Sequence, residues 1–340
     1  MGSGVATPPP GRPPSIYDVA AAAGVAPSTV SRALSKPGRV SFQTAEHVRQ
    51  VAAQLGYRTG TRQRSLEGSP TSMLAMVVAD ITNPVFFGMI RGAERTAMHA
   101  GYTLLLVETQ ESEAAERALL ERVRPSVDGI ILTSSRMSDA VIRTLAKTAP
   151  IVVLNRLVDQ VPSVASDNVK AVKRAVEHLA DAGHRSLTYL AGPEASWADG
   201  MRWRGLLEAG HELDIKVRRI GPQLPTLGGG RQAAERWLTA PSTGVVAYND
   251  LVAIGFIQAV QERGIEVPGQ VSVVGFDNIR EAELIQPALT TIASPLRSLG
   301  SAAVNHLLKT AVLPTQRQGE SVVLPARVVV RHSSGQAPKS

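Results

Sequence analysis

Two hydrophobic patterns divide this chain. Up to about residue 56 apolar residues recur every three or four positions, whereas from Met73 onward they come in short unbroken runs. In Ile16–Leu34 the side chains of Val19, Ala20 and Ala23 share one helical face, and Val30, Ala33 and Leu34 form a facing stripe. Gly24 between them supplies the backbone freedom of a sharp reversal. Pro27 falls in a first turn, where its missing N–H costs nothing. Ser15, with Asp18 three residues on, reads as a capping box. The pattern predicts a helix-turn-helix whose second helix is free to enter a DNA major groove, with an αα-corner in a larger helical domain as the bland alternative. A third helix runs from Ser41 to about Leu55 on Ala45, Val48, Val51, Ala52 and Leu55, and Gly56 stops it.

Beyond Met73 the apolar runs 74–78, 103–107, 129–132 and 151–154 read as buried strands, with helices near 84–100, 112–123 and 138–148. A second set places strands at 186–190, 244–247 and 271–274, and helices near 169–182, 200–209, 230–239 and 250–263. Such alternation predicts βαβ units on parallel sheets, in two lobes with a cleft between them. The expected fold class is α/β: an all-α headpiece followed by a two-lobed core of parallel sheets flanked by helices.

Composition narrows the chemistry. A 340-residue chain that is 44% hydrophobic can fill several cores. No run of about 18 apolar residues occurs and the N-terminus has no apolar signal core, so neither membrane insertion nor secretion is expected and the cytoplasm is. The absence of cysteine excludes disulfides, thiolate metal sites and cysteine nucleophiles, and the seven histidines are scattered, so no metal and no cofactor is expected. Up to residue 70 there are eight basic residues against three acidic ones, so one fifth of the chain holds +5 of its net +7. A basic head on a nearly neutral body fits nucleic-acid binding, although a solvated basic face gives the same count. No Gly-x-Ser-x-Gly elbow is present, and Gly228-Gly229-Gly230 lacks the following Lys-Ser/Thr of a P-loop, so no enzyme is read.

Specific stretches then point to a family. Tyr17-Asp18-Val19-Ala20, Gly24-Val25, Thr29-Val30-Ser31-Arg32, Val40-Ser41, Leu55-Gly56-Tyr57-Arg58 and Arg64-Ser65-Leu66 resemble the headpiece and hinge of the LacI/GalR transcription regulators. The resemblance implies double-stranded operator DNA as partner, a homodimer, and a core similar to periplasmic sugar-binding proteins. It assigns DNA contacts to Tyr17, Pro27, Ser28, Thr29, Ser31, Arg32 and Arg64. Leu66 would be the minor-groove wedge at the centre of a palindrome, as apolar wedges bend a duplex. There are departures. Ala26 replaces a serine cap, Ala45 an arginine, and Thr59-Gly60 the usual Pro-Asn; Pro27 and Ser28 are not bidentate base readers.

Domain bounds follow: a disordered tail 1–14, the headpiece 15–58, a hinge 59–70, the core 71–331 and a short polar tail 332–340. Lobe 1 is expected over about 71–163 and 293–320, and lobe 2 over about 164–292 and 321–331. Ligands of open α/β sheets bind beyond the carboxyl ends of the strands. There the resemblance assigns Asp80, Phe86, Phe87, Arg202, Trp203, Asn249 and Asp277 to a small-molecule effector. An arginine fork, an amide, carboxylates and rings suit a sugar. Each has a plainer reading too: core packing for Phe86 and Phe87, a solvated face for Arg202, a helix cap for Asn249 and a turn aspartate for Asp277. Pro225 stands where an aromatic platform often lies, leaving Trp197 or Trp203 as replacements. The reading is of a DNA-binding transcription regulator, a repressor controlled by an effector. A nucleobase effector and a sugar-binding transport protein stay as alternatives.

Overall fold

The computed structural model describes residues 15–35, 40–55, 71–312 and 320–338. The expected N-terminal tail, the hinge 59–70, Arg64 and Leu66 lie outside the described residues. Two compact units are present, divided at Pro70 and Thr71.

The first unit holds α1 (Ile16–Ala23), α2 (Pro27–Ser35) and α3 (Phe42–Gln54). The capping box is formed: Asp18 N–H donates to Ser15 Oγ at 3.4 Å, and Ser15 N–H donates to Asp18 Oδ2 at 2.7 Å. Gly24 takes φ +65° after α1 and turns the chain. The core is the stripe that periodicity predicts, with Val19, Ala20, Ala23, Val30, Ala33, Ala45, Val48, Val51 and Ala52 all buried. Leu34 and Leu55 pack on it half-buried.

The second unit carries two six-stranded sheets. In the first, β1 (Met73–Val78), β2 (Thr103–Glu108), β3 (Gly129–Thr133), β4 (Ile151–Leu154), β5 (Ser163–Ser166) and β11 (Ser321–Leu324) lie parallel in the order β11-β5-β4-β3-β1-β2. Their helices are α4 (Val85–His99), α5 (Glu113–Val123), α6 (Asp139–Ala146) and α12 (Leu296–Val312). The second sheet holds β6 (Ser186–Leu190), β7 (Lys216–Ile220), β8 (Gly244–Ala247), β9 (Ser272–Phe276), β10 (Thr290–Ala293) and β12 (Arg327–Val329). Its order is β12-β10-β9-β8-β6-β7, parallel except for the β10–β12 pair. With it go α7 (Asn168–Asp181), α8 (Trp197–Glu212), α9 (Leu227–Trp237), α10 (Asp250–Gln261) and the single turn α11 (Glu281–Leu284). Central strands such as β3, β4 and β8 are buried along their whole length, because helices cover both faces of a parallel sheet.

The chain crosses between lobes after β5, after β10 and after β11. All three crossings leave strands at their carboxyl ends, which turns those ends of the two sheets toward each other across the cleft. Two expected bounds move. Ser163–Ser166 and Ser321–Leu324 pair with one another in the first sheet, so residues 164–166 and 321–324 belong to lobe 1 and not to lobe 2. The strands β5, β7 and β10 were not legible as apolar runs. The polar C-terminus also differs from a free tail: Gly335 N–H donates to Ser272 Oγ at 3.0 Å and Ala337 N–H to the Ala182 carbonyl at 2.8 Å.

Candidate functional site

On the headpiece, α2 separates its residues by angle. At 100° per residue, Pro27, Ser28, Ser31 and Arg32 fall within one arc and are exposed, while Val30 and Ala33 face inward. Thr29 is half-buried and Tyr17, on α1, is 70% exposed. Ala26 gives α2 no side-chain cap; its carbonyl accepts the N–H groups of Thr29 and Val30 at 2.8 and 3.2 Å. The arrangement presents hydroxyls and a guanidinium from a short rigid helix, the donors that phosphates and base edges accept.

In the core, Arg202 is the centre of a buried polar and aromatic cluster. Helix α8 begins at the cap Ser196, whose Oγ accepts the Asp199 N–H, and this sets Arg202 one and a half turns in, only 3% exposed. Its guanidinium joins three segments that leave strand ends. Nε donates to Asn168 Oδ1 at 3.3 Å, one terminal nitrogen donates to the Tyr248 carbonyl, and the other donates to Asp277 Oδ1 at 3.5 Å. The cation also lies 3.5 Å from the centre of the Phe276 ring and 4.8 Å from that of Tyr248. A buried guanidinium needs such partners to be held at all. Burial pushes the Asp277 carboxyl up to about 7, although the charge and hydrogen bond of Arg202 act against the rise.

Other predicted residues are distributed around this centre. Asn249 caps α10, its Oδ1 accepting the Val252 N–H at 2.9 Å and its Nδ2 donating to the Pro225 carbonyl at 3.2 Å. Asp80 makes an Asx turn, accepting the N–H and hydroxyl of Thr82 at 2.8 and 2.6 Å. Phe86 is buried in the apolar core at the start of α4, whereas its neighbour Phe87 is half exposed. Trp203 is placed apart from Arg202. It stacks on Tyr189 with ring centres 5.9 Å apart and lies beside Arg219, within the packing of the second lobe.

Three further polar residues just past strand carboxyl ends were not singled out in the sequence. Arg136 follows β3 and is ion-paired with Glu111; Tyr248 follows β8; Asn168 opens α7. Position just beyond a buried strand was the available signal. Among the described residues, buried side-chain atoms without a hydrogen-bond partner include Thr133 Oγ1, Ser166 Oγ, Arg156 Nε and Gln223 Nε2. All four lie at or just past strand carboxyl ends. Six non-glycine residues with left-handed backbone, Gln110, Glu111, Ser134, Asn155, Asp277 and Asn278, lie at the same ends. Uncommon backbone and unpaired buried polar groups gather where a protein is built to hold something else. Among the described residues no group of three His, Asp or Glu is placed to hold a metal ion, and no helix is long and apolar enough to cross a membrane.

Comparison with known proteins bears on both units. Residues 15–60 match the lacI family of bacterial regulatory proteins, and residues 176–334 match the periplasmic binding protein-like domain. The HTH-type transcriptional regulator DegA of Bacillus subtilis is 32% identical over 331 residues, covering 94% of this chain and 97% of DegA. The HTH-type transcriptional repressor CytR of Escherichia coli K12 is 31% identical over 334 residues, covering 94% and 96%. Among solved structures, the transcriptional regulator CelR in its cellobiose complex is 27% identical with a TM-score of 0.71, covering 94% of this chain and 99% of that one. A LacI-family regulator of Enterococcus faecium with bound ribose is 29% identical with a TM-score of 0.70, covering 79% and 100%. The helix-turn-helix, the two-lobed core and relatives aligned along nearly the whole chain lead to one conclusion: the chain belongs to the LacI family, the DNA-binding regulators of bacterial transcription.

Proposed function

We propose that this regulator is a repressor that binds a palindromic operator as a homodimer, each headpiece reading one half-site, and that a sugar in the interlobe cleft sets its affinity for DNA. The observation that carries the effector half is the Arg202 cluster: a buried guanidinium beside Asp277, two aromatic rings and several unpaired polar atoms at facing strand ends. Such a set matches a polyol, which offers many short hydrogen bonds and an apolar ring face. Arg202 places three of its five N–H groups and Asn249 one of its two in bonds within the protein, so an effector takes up remaining donors or exchanges with those already bound. Named relatives are consistent with this reading, among them CytR, a ribose operon repressor from Halalkalibacterium halodurans, and the cellobiose and ribose complexes. The DNA half rests on the exposed arc Pro27, Ser28, Ser31 and Arg32, with Thr29, Tyr17 and Arg64 beside it and Leu66 as the wedge.

One experiment joins the two halves. The thermal stability of the protein is measured against a panel of neutral monosaccharides, disaccharides, sugar phosphates and nucleobases. A ligand at 100 times its dissociation constant adds about 2.7 kcal/mol. Any hit is then tested on fluorescent palindromic duplexes. Because the two binding events are linked reciprocally, the hit changes operator affinity by the factor that DNA changes its own. Leu66→Ala is expected to weaken operator binding about tenfold or more and to leave the sugar shift untouched. Stabilisation only by a nucleobase overturns the sugar assignment, and equal binding to all duplexes overturns the operator assignment.

A further inference from the structure

The turn that leaves β3 is held by buried charged side chains, and the reading above gives them no role. It runs from Thr133, the last residue of β3, to Asp139, the first of α6. Ser134 takes φ +54°, and Ser135 and Met137 are buried, so the carbonyls of this turn need partners inside the protein. Arg156, two residues beyond β4, supplies them. Its Nη1 donates to the Ser135 carbonyl at 2.9 Å and to the Met137 carbonyl at 2.7 Å, and its Nη2 donates to Asp139 Oδ1. From α5, Glu116 accepts the Arg136 N–H at 3.1 Å while only 1% exposed. Asn155, at φ +62°, donates from Nδ2 to Ser134 Oγ at 2.9 Å. Stability alone does not account for the guanidinium. Arg156 is 9% exposed and its Nε has no partner, so its bonds offset the desolvation of the cation only in part. An apolar side chain of similar volume fills such a space without that cost. What a planar fork adds is several bonds of fixed direction from one anchor, here to two carbonyls and a helix start.

We infer that Arg156 is a positioning residue for the cleft: its bonds to the 134–137 turn fix the form in which lobe 1 offers Thr133 and Ser134, at the carboxyl end of β3, to an effector. Thr133 Oγ1 is buried there without a partner, and Ser134 holds its uncommon backbone only while the turn is bracketed. The role toward an effector rests on the reading of the cleft as the effector site; the bracket on the turn does not.

Hydrogen exchange and sugar binding test this together on the full-length protein. In Arg156→Ala the amides of Arg136 and Met137 are expected to exchange about ten- to hundredfold faster than in the wild type, the factor that follows from losing charged hydrogen bonds to buried carbonyls. The panel sugar that stabilises the wild type most is expected to bind this variant about tenfold more weakly. Millimolar methylguanidinium, which returns the fork, is expected to restore both; methylammonium, a point charge, is not. Ile142→Val loosens the buried core of the same lobe and is expected to keep wild-type affinity for that sugar, which separates positioning from general stability. Where Arg156→Ala fails to fold, Arg156→Lys, which keeps a cation beside Asp139, is expected to show the same faster exchange and weaker binding. Wild-type exchange at Arg136 and Met137 overturns the bracket. Weakened binding that methylguanidinium does not restore, or equal weakening in Ile142→Val, overturns the positioning role. A panel in which no sugar moves the wild type overturns the sugar reading instead, and exchange with its rescue still decides whether Arg156 holds the turn.

Discussion

At the scale of single residues, Asp277 combines near-complete burial with an uncommon backbone conformation. It takes φ +112° and Asn278 follows at +57°, two successive left-handed residues with side chains. Their neighbours hold them there. Asp277 N–H donates to the Ile292 carbonyl at 2.8 Å, Arg331 donates to Asn278 Oδ1 at 2.8 Å, and the fully buried Asp250 accepts the Ile279 N–H at 2.9 Å and the Thr291 hydroxyl at 2.5 Å. Burial raises Asp250 well above the carboxylate range, and the nearby Asp277 charge adds to the rise. A carboxyl whose folded pKa is raised gives stability that is full below its unfolded value near 3.8 and is lost as pH rises through the folded one. For Asp277 that window ends at about 7. Each pKa unit corresponds to about 1.4 kcal/mol. Urea unfolding between pH 5 and 8 is therefore expected to show a steeper loss of stability in the wild type than in Asp277→Asn; parallel profiles would refute it. Arg202 and Asp277 were singled out by the family resemblance, but their partnership was not foreseen, since they lie 75 positions apart.

At the scale of elements, two helix pairs are interlocked by reciprocal glycines. A Cβ on Gly92 of α4 would collide with the Arg297 carbonyl, and one on Gly300 of α12 with the Met89 carbonyl. In the same way Gly230 of α9 meets the Val252 carbonyl and Gly255 of α10 meets that of Leu227. Backbone cannot step aside as a side chain does, so the helices must separate. Gly92→Ala and Gly230→Ala are each expected to cost about 1–3 kcal/mol in the urea midpoint. Gly228→Ala is the control: its Cβ would meet only Thr226 Oγ1, at 3.8 Å, so it should be neutral or stabilise by up to about 1 kcal/mol through helix propensity. The strands missed in the sequence share one cause. β7 reads Lys-Val-Arg-Arg-Ile because it is a half-exposed edge, and β5 and β10 mix serine and threonine with few apolar residues. Their strand state comes from the neighbour they pair with, not from their own pattern.

At the scale of the whole core, the C-terminal segment closes the second lobe far along the chain from its own strands. His184 is fully buried beneath it, with Nε2 facing the Gly335 carbonyl at 3.2 Å and Nδ1 facing Thr243 Oγ1 at 2.9 Å. Nε2 also faces Ser272 Oγ at 3.0 Å, so both ring nitrogens are engaged within the fold. Burial lowers the His184 pKa; the Gly335 bond opposes this and the neighbouring His178 adds to it. The stability tied to a depressed histidine is present above its unfolded value near 6.5 and lost as pH falls through the lower folded one. Hydrogen exchange at residues 333–337 is expected to accelerate at pH 5 in the wild type and not in His184→Gln, which can bond both partners without titrating. Equal acceleration in the two would place the acid sensitivity elsewhere.

By itself the sequence determined the headpiece helices and their core, the helix caps, the alternation that makes a two-lobed α/β core and the family. Each depends on neighbours within a turn or two, or on motifs a few residues long. Only the tertiary structure decided which sheet takes β11, that Trp203 packs away from Arg202, and that Asn249 spends its amide inside the protein. These outcomes depend on partners tens to hundreds of positions away, and no local periodicity encodes which distant group will be there to accept a hydrogen bond or fill a space.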